Sequence, residues 1–590
     1  VTEAIEKPEA GGGNSVWGSD VIAEMLQKLG IKYVALNPGA SFRGLHDSIV
    51  NRIGNRDPQM ILCLHEETAV AVAHGYAKVA GEPMAVILHS NVGLMHGSMA
   101  IFNAFVDRVP VLVFGATGPV DAARRRPWID WLHTAQDQGA LVRTFIKWDD
   151  QPASVPAMIE SLLRANQISR IAPQGPTYVC FDAALQEQRL DEMPVLPDVG
   201  RYKAPRPARP DPDAVSEAAA LLKGAKSPVI LAGLVSRDTK DWARRVALAE
   251  KLNAKVLTDS KVGAAFPTDH RCHAGKPTTF LDAAGMDALK QADVVLSLNW
   301  IDPAGAFKQA IGAKPIPAKM IQASVDFYAH NGFGKEHQAL PPADVFLASD
   351  PDVAVADLCA ALGIDDASLK PVVDGPTTPV VSIAPDQDAI DIPGLGAALG
   401  EGLSGEKCCL IRLPLGWDGG MWHYRHPLDY LGYDGGGGIG SGPGMSVGAA
   451  LALKGTDRLP VAVLGDGDFM MCNNAVWTAV HYRIPLLVVI GNNNSFYNDE
   501  VHQERVANER SRPVENKWIG QRVADPDIDF ASLARSQGAE GIGPVRTPKA
   551  LAKAVKEGVA LVKQGKVVVI DARVLPGYSP AMAASVGRSG

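Results

Sequence analysis

Two polar tips, each closing an apolar run, constrain this chain more than any other feature. Gly465-Asp466-Gly467 follows Val461-Ala462-Val463-Leu464, and Asn492-Asn493-Asn494 follows the run from Ile484 to Ile490. The segment between them, Asn473 to Tyr482, reads as a crossover helix. Strand, helix, strand in this order makes a right-handed βαβ unit. Both tips then lie at the carboxyl ends of adjacent parallel strands, where open α/β sheets bind ligands. Asp466 offers a carboxylate, Asn493 an amide oxygen and Ser495 its backbone carbonyl. These are three hard oxygen donors, suited to an octahedral Mg²⁺. Gly465 and Gly467 let the backbone come close to phosphate oxygens and meet them with N–H groups. Either tip alone is ordinary turn chemistry; the pair at this spacing is a ligand site.

The pair resembles the diphosphate–Mg²⁺ motif of the thiamine-diphosphate (ThDP) enzymes, and a second segment resembles the other end of the same site. Leu64-His65-Glu66-Glu67 ends a strand and opens a helix from Thr68 to Ala80, closed by Gly81. A carboxylate at a helix start needs no special reason, because it faces the positive end of the macrodipole. The run Glu66 to Ala77 is nonetheless similar to the family segment whose first Glu touches the cofactor's aminopyrimidine. The resemblance therefore implies a role for Glu66. A carboxylate on one pyrimidine nitrogen favours the tautomer whose exocyclic nitrogen removes the C2 proton. Glu67 is given no role.

Two further turns narrow the branch. Asn37-Pro38-Gly39-Ala40-Ser41 and Leu88-His89-Ser90 are similar to turns of benzoylformate decarboxylases, in which the His works in proton transfer beside the reacting carbon. His89 is the matching candidate here, histidine being the side chain that titrates near neutrality. Ala40 stands where that branch has Ser, with Ser41 one step later. Asn299-Trp300-Ile301-Asp302-Pro303 shows no His where the branch supplies a second one. The Gly-rich run from Gly435 to Gly444 takes the place of the loop that props the cofactor, through either Ile439 or Ser441.

At 590 residues the chain has room for three or four domains at about 150 each. Proline-bearing stretches near 193–212 and 370–393 divide it into three α/β blocks. The expected fold is three tandem doubly wound parallel-sheet domains: pyrimidine-binding at 15–192, central at 211–365 and diphosphate-binding at 390–575. Strands are expected at Tyr33–Leu36, Met60–Leu64, Met84–Leu88, Pro110–Gly115 and Thr177–Phe181 in the first block. The second has them at Pro228–Ala232, Lys255–Thr258, Val294–Leu298 and Met320–Ala323. In that block, Ala232-Gly233-Leu234-Val235 is only a weak glycine turn, so a bound FAD has no motif to support it and packing is the better explanation.

Composition bears on partners. The net charge is −8 and no long basic run occurs, which argues against nucleic acid. No window nears the ~18 apolar residues of a membrane span, and the amino end lacks the pattern of a secretory signal. Seven cysteines, none in CxxC spacing, mostly sit in apolar runs, the pattern of a cytoplasmic protein with reduced thiols.

The resemblance implies a ThDP- and Mg²⁺-dependent enzyme that decarboxylates a 2-oxo acid to an aldehyde, with capacity for carboligation to an aldehyde acceptor. An acetolactate-synthase-like transferase joining two 2-oxo acids is the alternative, and a ThDP-binding protein without catalysis a third. It further implies a homodimer or homotetramer, with Glu66 of one subunit meeting the cofactor held by the other. The polar segment Val501–Asp525, with Arg505, Arg510, Arg512 and Arg522, reads as a solvated loop near the cleft mouth. The tail from Pro576 to Gly590 is a candidate cover.

Overall fold

A computed structural model describes residues 6–9, 13–326 and 339–578. Three parallel sheets follow one another along the chain. The first has six strands, in the spatial order Gln59–Leu62, Tyr33–Leu36, Met84–Leu88, Val111–Thr117, Thr177–Asp182 and Trp148–Asp150. The second has five: Lys255–Thr258, Pro228–Ala232, Val294–Leu298, Lys319–Ala323 and Val345–Leu347. The third also has five: Cys408–Arg412, Leu459–Gly465, Leu486–Asn492, Val567–Arg573 and Glu540–Val545. Strands buried on both faces read as unbroken apolar runs, so Met84–Leu88 and Val294–Leu298 were legible at once. Two edge strands were not, although the edge strand Lys255–Thr258 was. Trp148–Asp150 carries two aspartates and is half-buried, and Glu540–Val545 is interrupted by Gly541, Gly543 and Pro544.

Leu459–Gly465 and Leu486–Asn492 pair in parallel, with Gly465 opposite Gly491, so the two polar tips stand side by side. The crossover differs from expectation in one respect. The chain turns helical directly at Asp466 (Asp466–Met471), breaks, and resumes as Ala475–His481.

The first and third sheets are joined by two helices, Glu66–Ala80 and Ser441–Leu453. Both are rich in Ala and Gly, and their side chains belong to one shared core. Their backbones almost touch. A Cβ on Gly75 would lie 1.9 Å from the Met445 carbonyl oxygen, and one on Gly448 would lie 1.8 Å from that of Val72. Only glycine permits that approach. It brings the amino ends of both helices, with Glu66, Glu67 and Ser441, to one place. The Glu66–Ala80 helix stops where Gly81 adopts the left-handed conformation (φ 67°).

Candidate active site

At the tip of the third sheet, Asp466, Asn493 and Ser495 converge. The Ser495 N–H donates both to Asp466 Oδ2 (3.2 Å) and to Asn493 Oδ1 (2.9 Å), while Asp466 Oδ1 accepts from Gly467 N (2.8 Å). Burial pushes the Asp466 carboxyl up, and the surrounding N–H groups oppose that shift. A buried carboxylate and a carboxamide oxygen gathered on one N–H are the kind of donors that suit a hard cation. Gly465 faces open space, with nothing within 4 Å of where a Cβ would stand. Gly467 has a different reason: its Cβ would meet the Phe496 ring at 2.4 Å.

The segment Val501–Asp525, expected to be a solvated loop, is instead partly helical, and through Arg522 it supports the cradle. Tyr497–Glu509 is a helix and Val514–Asn516 a turn of 3₁₀ helix. Glu500 is buried on the inner side of this helix. It accepts from Ser495 Oγ (2.5 Å) and from Arg522 Nε (3.1 Å), and Arg522 also lies over the Trp518 ring. Arg510 and Arg512 remain exposed. Of the tail, Tyr578 donates from its hydroxyl to Asn498 Oδ1 (2.9 Å) and packs on Tyr497. The rest of the expected cover, 579–590, lies outside the described residues.

The glycine-rich loop separates its two candidate props. Ser441 is fully buried; its Oγ accepts from Asn103 Nδ2 (2.8 Å) and donates to Glu67 Oε1 (3.5 Å). Gly440 and Gly442 donate their N–H groups to Asp468 Oδ1 (2.7 and 3.3 Å), and Arg412 stands behind Asp468 and Asp434. Ile439, by contrast, is 38 % exposed. Glu67, which had no assigned role, thus forms part of the contact between the first and third sheets. Burial pushes its carboxyl up, against the Ser441 hydroxyl.

Glu66 points elsewhere. It is buried, its Oε2 meets His96 Nδ1 (3.1 Å), and it lies against Gly93. The His65 and His96 rings stack at 5.1 Å. His65 Nδ1 accepts from Glu67 N–H, capping the helix and using the lone pair that a metal would need.

His89 ends its strand with the ring on the Asn-Pro-Gly turn. A Cβ on Gly39 would stand 2.3 Å from the ring, so the turn is a floor built for this side chain. Ser41, one step beyond the expected position, reaches His89 Nδ1 with its Oγ (2.9 Å). Burial lowers the His89 pKa, His133 and Arg126 lower it further, and Glu66 opposes them. His133 meets His89 edge-on at 4.8 Å. A second histidine is therefore present in the cleft, supplied by the first domain rather than by Asn299–Pro303 of the central one. No periodic pattern marks it, because it ends a helix of a single turn, Ile129–Leu132.

In the central domain, the weak glycine turn is a packing contact. A Cβ on Gly233 would lie 2.3 Å from the Asn299 carbonyl oxygen.

A fold of three parallel-sheet domains, with two adjacent polar strand tips in the third and a helix-opening glutamate in the first, defines a class, and sequence comparison identifies it. The chain belongs to the thiamine pyrophosphate enzyme family. The N-terminal TPP-binding domain matches residues 16–141, the central domain 215–358 and the C-terminal TPP-binding domain 416–572. It is similar to benzoylformate decarboxylase of Pseudomonas aeruginosa, at 23 % identity over 91 % of this chain and 95 % of that protein. It is also similar to the acetolactate synthase large subunit of Lactococcus lactis, at 24 % identity over 94 % of this chain and 91 % of the relative. The structure of a ThDP-dependent 4-hydroxybenzoylformate decarboxylase from Rhodococcus jostii RHA1 superimposes with a TM-score of 0.74 at 22 % identity, over 96 % of this chain and 100 % of that one. Among the described residues no helix is long and apolar enough to cross a membrane. All seven cysteines are buried and unpaired.

Proposed function

We propose that this protein is a ThDP- and Mg²⁺-dependent enzyme that decarboxylates a 2-oxo acid to an aldehyde without oxidation and can join the product to an aldehyde acceptor. The observation that carries this reading is His89, seated on the Asn-Pro-Gly turn in the same cleft as Glu66. Bound ThDP supplies the electron sink for the bond that loses CO₂. The chain's own residues do the rest. Asp466, Asn493 and the Ser495 carbonyl hold Mg²⁺, and the N–H groups around Gly465 and Gly467 take the diphosphate. Ile439 props the cofactor, since its apolar side chain is free on the loop; Ser441 instead anchors that loop to Asn103. Glu66 holds the proton on the pyrimidine nitrogen, and His89 works beside the reacting carbon. In this assignment 15–192 is the pyrimidine-binding domain, 211–365 the central domain and 390–575 the diphosphate-binding domain.

The second reading, a transferase joining two 2-oxo acids, is favoured by the comparable similarity to acetolactate synthase. A panel of aryl and branched 2-oxo acids separates the two. CO₂ release with aldehyde formation is the expected result, whereas acetolactate from pyruvate alone selects the transferase. Binding without turnover across the panel would leave a non-catalytic ThDP protein.

Asp466→Ala should abolish Mg²⁺-dependent ThDP binding, because the diphosphate loses its cation bridge. Unchanged affinity by calorimetry would remove Asp466 from the metal site.

The protein works as a homodimer or homotetramer in this reading, in the cytoplasm, where its unpaired thiols stay reduced. Leu64, Met95 and Met471, all near the site in sequence, are 47, 51 and 54 % exposed. Glu66 faces His96 while its neighbour Glu67 takes the contact with the same chain's third domain, which leaves Glu66 for a cofactor held by a second subunit. A fully active monomer in light scattering would overturn this.

A further inference from the structure

Ser41 and His89 are 48 positions apart, and their contact carries more information than proximity. Two groups of Ser41 address the same ring nitrogen. Its backbone N–H donates to His89 Nδ1 at 3.4 Å, and its Oγ lies 2.9 Å from that atom. A backbone N–H can only donate, so Nδ1 must present a lone pair. The hydroxyl is oriented the same way. Ser90 N–H donates to Ser41 Oγ (3.2 Å), occupying one of its lone pairs and leaving the hydroxyl hydrogen for Nδ1. With Nδ1 an acceptor, the neutral ring carries its one proton on Nε2. Ser90 itself has a left-handed backbone (φ 47°), a strained conformation for a non-glycine residue immediately after His89.

We infer that Ser41 is a positioning residue that holds His89 in the neutral form protonated at Nε2, so that His89 meets the 2-oxo acid as a hydrogen-bond donor and not as a base. The inference rests on the substrate reading above. The natural partner of such a donor is the substrate's keto oxygen, which gathers negative charge as its carbon is attacked. A donor already aimed at that oxygen stabilises the charge without reorganising. Removing a proton at Nε2 is a task this tautomer cannot perform, because that position is already protonated. A second proton on the ring would set an Nδ1–H against the Ser41 N–H. The surroundings also disfavour the charged ring: burial first, then His133 and Arg126, with Glu66 as the one opposing group and Asp130 engaged by Arg126. The donor form therefore persists to a pH below the ordinary histidine value of about 6.5.

The tautomer is read directly by ¹⁵N NMR of the histidine-labelled protein without cofactor or substrate, the His89 signals being assigned by their loss in His89→Gln. The expected ring at neutral pH has a bare Nδ1 and a protonated Nε2. Ser41→Ala, which leaves only the longer 3.4 Å contact of the backbone N–H, should weaken the preference for this tautomer and shift the ring's titration upward, and Ser41→Thr, which keeps the hydroxyl, should preserve the single form. A wild-type ring protonated at Nδ1, or on both nitrogens, overturns the inference and leaves the decarboxylase reading standing. The kinetic arm uses the amide of His89→Gln, which can donate but cannot act as a base. Its turnover should exceed that of His89→Ala by at least roughly tenfold, as expected when one charge-stabilising donor is retained. A glutamine variant as slow as the alanine one refutes the donor role.

Discussion

Glu66→Gln should slow exchange of the cofactor's C2 proton for deuterium by roughly 10²–10⁴-fold, the usual worth of general acid–base catalysis, while ThDP still binds. The amide matches the carboxylate in size and can still hydrogen-bond, but it carries no charge to favour the protonated pyrimidine. Binding should survive because Asp466, Asn493 and Ser495 lie on the third sheet, away from the altered side chain. The helix start should survive as well, since His65 rather than Glu66 caps it. Calorimetry for binding and NMR for C2 exchange, on one preparation, separate the two effects. Wild-type exchange in the variant would remove Glu66 from cofactor activation.

His89→Ala should cut turnover by roughly 10²–10⁴-fold, or about 3–5 kcal/mol of transition-state stabilisation. Cofactor affinity and C2 exchange should stay near wild type, since they depend on Glu66 and the metal ligands. The alternative is a structural histidine, packed on Gly39 and bonded to Ser41 only to finish a strand. That role predicts a lower melting temperature with turnover per folded molecule largely kept. Turnover and thermal melting measured together decide between them. Near-normal turnover would raise the transferase reading above the decarboxylase. The sign of the pH dependence follows from the lowered pKa. The working form is the neutral ring, so activity is retained above the lowered value and lost as the pH falls through it.

What was legible in the sequence is what short-range rules encode. Parallel strands buried on both faces announce themselves as apolar runs, and a strand–helix–strand unit has one favoured hand. Those two rules alone put Asp466 and Asn493 on adjacent tips. Glu66 at a helix start and Gly81 at its end are equally local features. The tertiary structure decided everything that depends on where separate elements meet. Glu67 reaches Ser441 because two glycine-bearing helices pack backbone to backbone, a contact across 374 positions. Glu500, which accepts from the Ser495 hydroxyl at the start of the helix Tyr497–Glu509, is met by Arg522 because the chain beyond that helix folds back against it. His133 arrives beside His89 at the end of a one-turn helix, Ile129–Leu132, too short to show a period. Ser41 reaches a ring nitrogen 48 positions away because the turn and the strand end follow two parallel strands that pair side by side. Periodicity and turn chemistry act over a few residues, whereas the orientation of a hydrogen bond depends on the packing of the whole domain.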